Sequence, residues 1–189
     1  MSAPHRVVAV SGSLHEPSKT TALVRAIAAA VSARSDAEVD LIELAVIGPD
    51  LAGALRREQL PDAVERQLRA IEEADLLIVG SPVYRASFTG LFKHLFDFVD
   101  QYALVGKPVL LSATGGGERH ALMIEHQLRP LFAFFQALTL PVGVYASDGD
   151  FADYEVASGL LHDRISLAAE RALPLVGYAS ARRAQLAAS

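Results

Sequence analysis

Apolar and polar positions along the chain follow two rhythms. Residues 6–10 (RVVAV) are a short β-branched run that breaks at Ser11-Gly12-Ser13, and residues 76–79 (LLIV), 109–111 and 142–145 repeat that pattern. Continuous apolar runs of this length, stopped by Gly, Pro or Ser, predict strands buried on both faces. Residues 38–44 (EVDLIEL) instead alternate, which predicts a half-buried strand near a sheet edge. Helical spacing fills the intervals. Residues 20–34 place Leu23, Ile27, Ala30 and Val31 on one side, and residues 89–99 do the same with Leu91, Phe92, Leu95, Phe96 and Val99. Further helices are predicted over residues 62–73, with Asp62 as N-cap, over 121–138, and over 156–173. Residues 45–61, which contain Gly48-Pro49 and Pro61, predict irregular chain.

Five strands alternating with five helices imply βαβ crossovers and a parallel sheet covered on both faces. No GxGxxG turn is present, which favours a five-stranded flavodoxin-like sheet of order 2-1-3-4-5 over the six-stranded dinucleotide fold. There is no internal repeat or linker, so residues 1–175 are expected to form one domain. The Ala- and Arg-rich residues 176–189 are expected to be a flexible tail.

Composition narrows the chemistry. The chain has 189 residues, enough for one domain with a full core. It has no cysteine, which excludes thiolate nucleophiles, iron–sulfur clusters and cysteine zinc sites, so redox chemistry requires a bound cofactor. A net charge of −5 argues against a nucleic-acid binder. No apolar run reaches the ~18 residues of a membrane span, and residues 1–6 carry no signal-peptide core, so a cytoplasmic protein is expected.

Ligands of such sheets bind beyond the carboxyl ends of the strands. Three loops lie there, over residues 11–21, 81–87 and 114–118, and all are rich in Ser, Thr or Gly. The first carries hydroxyls at Ser11, Ser13, Ser18, Thr20 and Thr21 and leads into a helix N-terminus, a combination suited to a phosphate monoester. A nucleotide P-loop is the rival, because Ser18-Lys19-Thr20 imitates its end. Ser13 and Ser18 stand where its glycines belong, and Asp75 precedes the third strand instead of closing it. The second loop offers Pro82, Val83, Tyr84, Arg85 and Ser87, with a flat aromatic face. The third, Thr114-Gly115-Gly116-Gly117, is bare enough for the main chain to approach a ligand closely. Together they suit a flat, phosphorylated, hydrogen-bonding ring system.

In these segments the chain resembles the flavodoxin-like NAD(P)H-dependent FMN reductases, and more closely those that supply reduced flavin to sulfonate monooxygenases. The resemblance runs from about residue 7 to 173. It rests on Gly-Ser-x-x-x-x-Ser-x-Thr in the first loop, Ser-Pro-Val-Tyr-Arg-Ala-Ser-Phe-Thr-Gly after the third strand, and Ala113-Thr114-Gly115-Gly116. It implies that Ser11, Ser13, Ser18 and Thr20 bind the FMN phosphate, and that Pro82 to Ser87 and Thr114 to Gly117 line the isoalloxazine. It further implies loosely held FMN as substrate, NADH or NADPH as hydride donor, and a monooxygenase partner reached through free reduced FMN. Two positions depart from the pattern: His15 stands in place of a phosphate-facing Arg. His126 stands in place of a helical Tyr, as in the methanesulfonate-linked branch. The alternatives on this scaffold are a quinone or azo reductase with tightly held FMN and a flavodoxin-type electron carrier.

The remaining chemistry is sparse. His5, His94, His120 and His162 have no ligand-type partner at i+4, so no metal site is expected, and no Ser/His/Asp order fits a nucleophile. Pro130 has no N–H to give the carbonyl of His126, which favours a kink or a single π-type turn there. Apolar residues surround the 121–138 segment more widely than one stripe, which predicts a homodimer or homotetramer. The resemblance implies that His126 then lies near the flavin, as a modulator of its release.

Overall fold

The computed structural model describes residues 5–176. Four long strands build the sheet: β1 (Arg6–Ser11), β2 (Glu38–Glu43), β3 (Leu76–Pro82) and β4 (Pro108–Gly115). The order is β2-β1-β3-β4-β5, every pairing in this sheet is parallel, and the alternating β2 lies at the edge. The flavodoxin-like arrangement expected from the pattern of runs is therefore present.

The fifth strand differs from expectation. It is split into β5 (Leu138–Thr139) and β6 (Val144–Ser147), both paired with β4. Val109 pairs with Thr139 and Ser112 with Val144, so five steps on the outer strand span three on β4. Pro141 lies in the gap, where it has no N–H to give a ladder.

Helices cover both faces. One is lined by α1 (Lys19–Ser32) and α6 (Gly159–Ala172), packed on Val7, Ala9, Leu76, Ile78 and Leu110. The other carries α2 (Leu44–Ala52), α3 (Asp62–Glu73), α4 (Gly90–Asp97) and α5 (Arg129–Phe134), packed on Val8, Val10, Leu77, Val79 and Leu111. Adjacent residues of β1 and β3 point to opposite sides, which is why their apolar runs are unbroken.

Four expectations need correction. Residues 44–52 are helical in spite of Gly48 and Pro49, because Leu44, Gly48 and Leu51 share one buried side. The residue capping α3 is Pro61, with Asp62 inside the first turn. The long helix over 121–138 is not formed. Its place is taken by a π-helix (Ile124–Leu128) leading into α5, and Leu138 already belongs to β5. The Arg129 N–H donates to the Ile124 carbonyl five residues back, just before Pro130 removes the next donor. Finally, β7 (Phe151–Ala152) and β8 (Glu155–Val156) form an antiparallel hairpin, and α6 starts only after the Ser158 cap. Residues 177–189 of the expected tail lie outside the described residues.

Candidate active site

Strand register brings the three loops together. Ser11 of β1 pairs with Gly80 of β3, and Pro82 of β3 pairs with Thr114 of β4. Two main-chain bonds extend the sheet into the loops, Gly12 N–H to the Gly80 carbonyl at 2.7 Å and Val83 N–H to the Thr114 carbonyl at 2.8 Å. Gly12 and Gly80 permit this closeness. A Cβ on Gly12 would stand 2.8 Å from Phe92, and one on Gly80 would stand 2.4 Å from Val24 of α1.

Hydroxyls tie the floor of the site. Ser11 Oγ and Thr21 Oγ1 are 2.8 Å apart, and Thr20 Oγ1 and Thr114 Oγ1 are 2.6 Å apart, with all four residues buried. Ser11 and Thr20 thus join β1, α1 and β4, while Ser13 and Ser18 belong to the loop above. Ser18 caps α1 by accepting from the Thr21 N–H at 3.1 Å, and Ser13 Oγ donates to the His15 carbonyl at 3.0 Å. The cap places the positive end of α1 at the loop. Lys19 reaches away from it to Asp148 at 2.7 Å.

The second loop is a tight turn. Tyr84 and Ser87 exchange both main-chain hydrogen bonds, at 2.8 and 3.0 Å. Between them Arg85 (φ 50°) and Ala86 (φ 67°) adopt left-handed conformations without being Gly or Asn. Such residues in this region cost on the order of 1 kcal/mol each, held here by the surrounding structure. The turn leaves Tyr84 43% exposed. Ser87 Oγ donates to Gln127 Oε1 at 3.0 Å, which fastens the loop to the π-helix. His126, the neighbour of Gln127, is exposed.

The third loop is shaped from beneath by Tyr145 of β6. Its hydroxyl donates to the Gly117 carbonyl at 2.6 Å, and a Cβ on Gly115 would stand 2.4 Å from that oxygen. Gly115 is therefore required by a neighbouring side chain, whereas a Cβ on Gly117 would meet nothing within 4 Å. Burial pushes the Tyr145 hydroxyl above its ordinary pKa, with Glu118, Asp148 and Asp150 adding to the effect.

The residues expected to bind flavin lie in these three loops or at the strand and helix ends that bound them, and His126 lies apart on the π-helix. Four more were not marked by sequence. Thr21 was seen only as one hydroxyl among five. Thr89 caps α4 and donates from Oγ1 to the Gly12 carbonyl at 2.9 Å; it stands in the motif over residues 81–90 but was given no role there. Tyr145 and Gln127 act over 28 and 40 residues of sequence and had no local signal. Among the described residues no group of three or more His, Cys, Asp or Glu could hold a metal ion.

Residues 5–152 match the family of NADPH-dependent FMN reductases. The chain belongs to this family. It is 58% identical over 183 residues, 97% of its length and 98% of the relative's, to the NADH-dependent FMN reductase SfnE of Pseudomonas putida. An oxidoreductase structure from Corynebacterium diphtheriae superposes with a TM-score of 0.81 at 36% identity, covering 93% of this chain and 98% of that one. A flavodoxin, WrbA-like protein from Agrobacterium tumefaciens, at 15% identity and a TM-score of 0.64 over 92% of this chain and 98% of that one, shares the fold. The resemblance read from the loop motifs is borne out in family and in fold, and the reductase is an NAD(P)H:FMN oxidoreductase. No helix among the described residues is long and apolar enough to cross a membrane.

Proposed function

We propose that this reductase binds FMN across the three loops, reduces it, and releases it as free reduced flavin to a flavin-dependent sulfonate monooxygenase in the cytoplasm. The observation that carries this reading is the joined cradle. Loops after β1, β3 and β4 are fastened to one another, with hydroxyls and a capped helix N-terminus at one end and a glycine-rich main chain at the other. In this reading Ser13 and Ser18 hold the phosphate, while Ser11 and Thr20, spent on Thr21 and Thr114, set the depth of the floor. Pro82, Val83, Tyr84, Arg85 and Ser87 flank the ring on one side, and Thr114 to Gly117 offer amides and carbonyls to its polar edge.

When bound, FMN accepts a hydride from NAD(P)H and a proton, giving NAD(P)⁺ and reduced FMN. The chain contributes position. Tyr84, held at the surface by its strained turn, limits access to one face, and proximity of the two rings supplies much of the acceleration.

The reading includes a homo-oligomer. Leu122 and Phe134, before and after the π-helix, are 64% and 66% exposed, and a second copy of the chain is the partner that covers them. His126, exposed on the π-helix between them, then modulates flavin release.

The test is a titration with two flavins. Ser13→Ala combined with Ser18→Ala is expected to weaken FMN binding by about 1–3 kcal/mol, the loss of hydrogen bonds to a charged group. Riboflavin, which has no phosphate, is expected to bind the variant and the parent alike. Equal weakening of both flavins would remove the phosphate from this loop.

A further inference from the structure

A groove of about 800 Å³ runs beside the cradle, shares Ser18 and Thr21 with its phosphate end, and extends beyond the residues assigned to flavin. It begins at Ser18 and Thr21, follows α1 past Arg25, and ends under the β7–β8 hairpin near His162. Its volume falls in the range of small-molecule sites. The hairpin tip is unusual. Asp153 (φ 46°) and Tyr154 (φ 63°) are both left-handed in a two-residue turn; Asp suits the first place, but the second normally takes Gly. The strain sets an aromatic ring, 46% exposed, at the edge of the groove instead of in the core. Carboxylates of Glu16, Asp153 and Glu155 line the same space. The one arginine there, Arg25, has its guanidinium bonded to Glu43 at 2.9 Å.

An FMN reductase must hold a dinucleotide as well as a flavin, and this chain has no glycine-rich dinucleotide turn. We propose that the groove takes the adenosine half of the nicotinamide coenzyme, with adenine against Tyr154 and the ribose hydroxyls on the carboxylates, and that it selects NADH over NADPH. This inference rests on the reductase reading above. A carboxylate accepts a hydrogen bond from a ribose 2′-hydroxyl, the device that dinucleotide folds use for NAD. A 2′-phosphate would bring a dianion among three carboxylates, of which Asp153 and Glu155 flank the ring, so the same groups that attract one coenzyme repel the other.

Steady-state kinetics of the full-length protein test this. Tyr154→Ala is expected to raise KM for NADH about 5- to 50-fold, the range set by stacking of one base on one ring. kcat and KM for FMN should stay within about twofold, and Tyr154→Phe should restore the parent KM, because the ring and not the hydroxyl makes the contact. Asp153→Asn with Glu155→Gln, both exposed, is expected to narrow the NADH preference by about threefold or more through better use of NADPH. An unchanged KM for NADH in Tyr154→Ala, with normal FMN reduction, overturns the inference and leaves the reductase reading standing. A parent enzyme that prefers NADPH and loses that preference in Arg25→Ala overturns the selectivity. Absence of NAD(P)H oxidation by the parent enzyme, with FMN supplied, would instead refute the reductase reading itself.

Discussion

The two faces of the sheet are built differently. The face under α1 and α6 is aliphatic: Leu23, Val24, Ile27 and Val31 meet Leu161, Ile165, Ala168 and Ala169. Both helices have 14 residues, and each starts at a serine that caps it. The opposite face holds the buried aromatic rings Phe92, Phe96, Phe132 and Phe135. Phe96 touches Phe92 at 4.9 Å and Phe132 edge-on at 5.0 Å between ring centres. Beside the 12-residue α3 it carries shorter helices, eight residues in α4 and six in α5, with a π-helix leading into α5. Small aliphatic side chains let regular helices lie close to a sheet, whereas large rings fill volume between elements that are themselves irregular. The regular face anchors α1 beneath the first loop. The irregular face meets the second loop, through Gln127 and Ser87.

The largest effect expected from this contrast is on stability. Phe132→Ala should cost about 3–5 kcal/mol in urea unfolding, whereas Ile27→Val on the aliphatic face should cost about 0.5–1.5 kcal/mol. A loss below about 1 kcal/mol for Phe132→Ala would mean that the rings are not the filling of that face. A smaller effect sharpens the functional side of the comparison. Gln127→Ala and His126→Ala are each expected to change stability by about 1 kcal/mol or less, the worth of one part-exposed hydrogen bond. Both should nonetheless shift flavin affinity or turnover several-fold. Parent-like flavin affinity and turnover in both variants would confine the π-helix to a structural role.

The same contrast explains what could be read in the sequence. β1, β3 and β4 were legible because burial on both faces leaves unbroken apolar runs; alternation with helices implied a parallel sheet, and the missing GxGxxG turn favoured its order. α1 was legible from Leu23 and Ile27, spaced at one helical turn. On the aromatic face α3 and α4 were legible from their helical spacing, whereas α2 and the extent of the π-helix were not. Gly48 and Pro49 argue locally against the helix that contains them, and tertiary burial of Leu44 and Leu51 overrides that preference. Residues 121–138 have enough apolar side chains for one long helix, but Pro130 removes a donor and the chain answers with an extra residue per turn. That a kink or π-turn would form near His126 was readable from Pro130; the contact it gives Gln127 was not, since it depends on a loop 40 residues away. In the site, hydroxyl and glycine content marked the three loops, whereas Tyr145, which fixes the shape of the third, is set by the register of β6 against β4.

The central claim is that this cradle holds FMN only long enough to reduce it, and one measurement addresses it directly. The protein is passed through gel filtration, its flavin absorbance is read, and NADH oxidation is followed without and with added FMN. The account predicts protein almost free of flavin, no sustained NADH oxidation until FMN is supplied, and saturation with added FMN. Stoichiometric FMN retained through the column, with NADH oxidised through a quinone or azo acceptor and no added flavin, would contradict it.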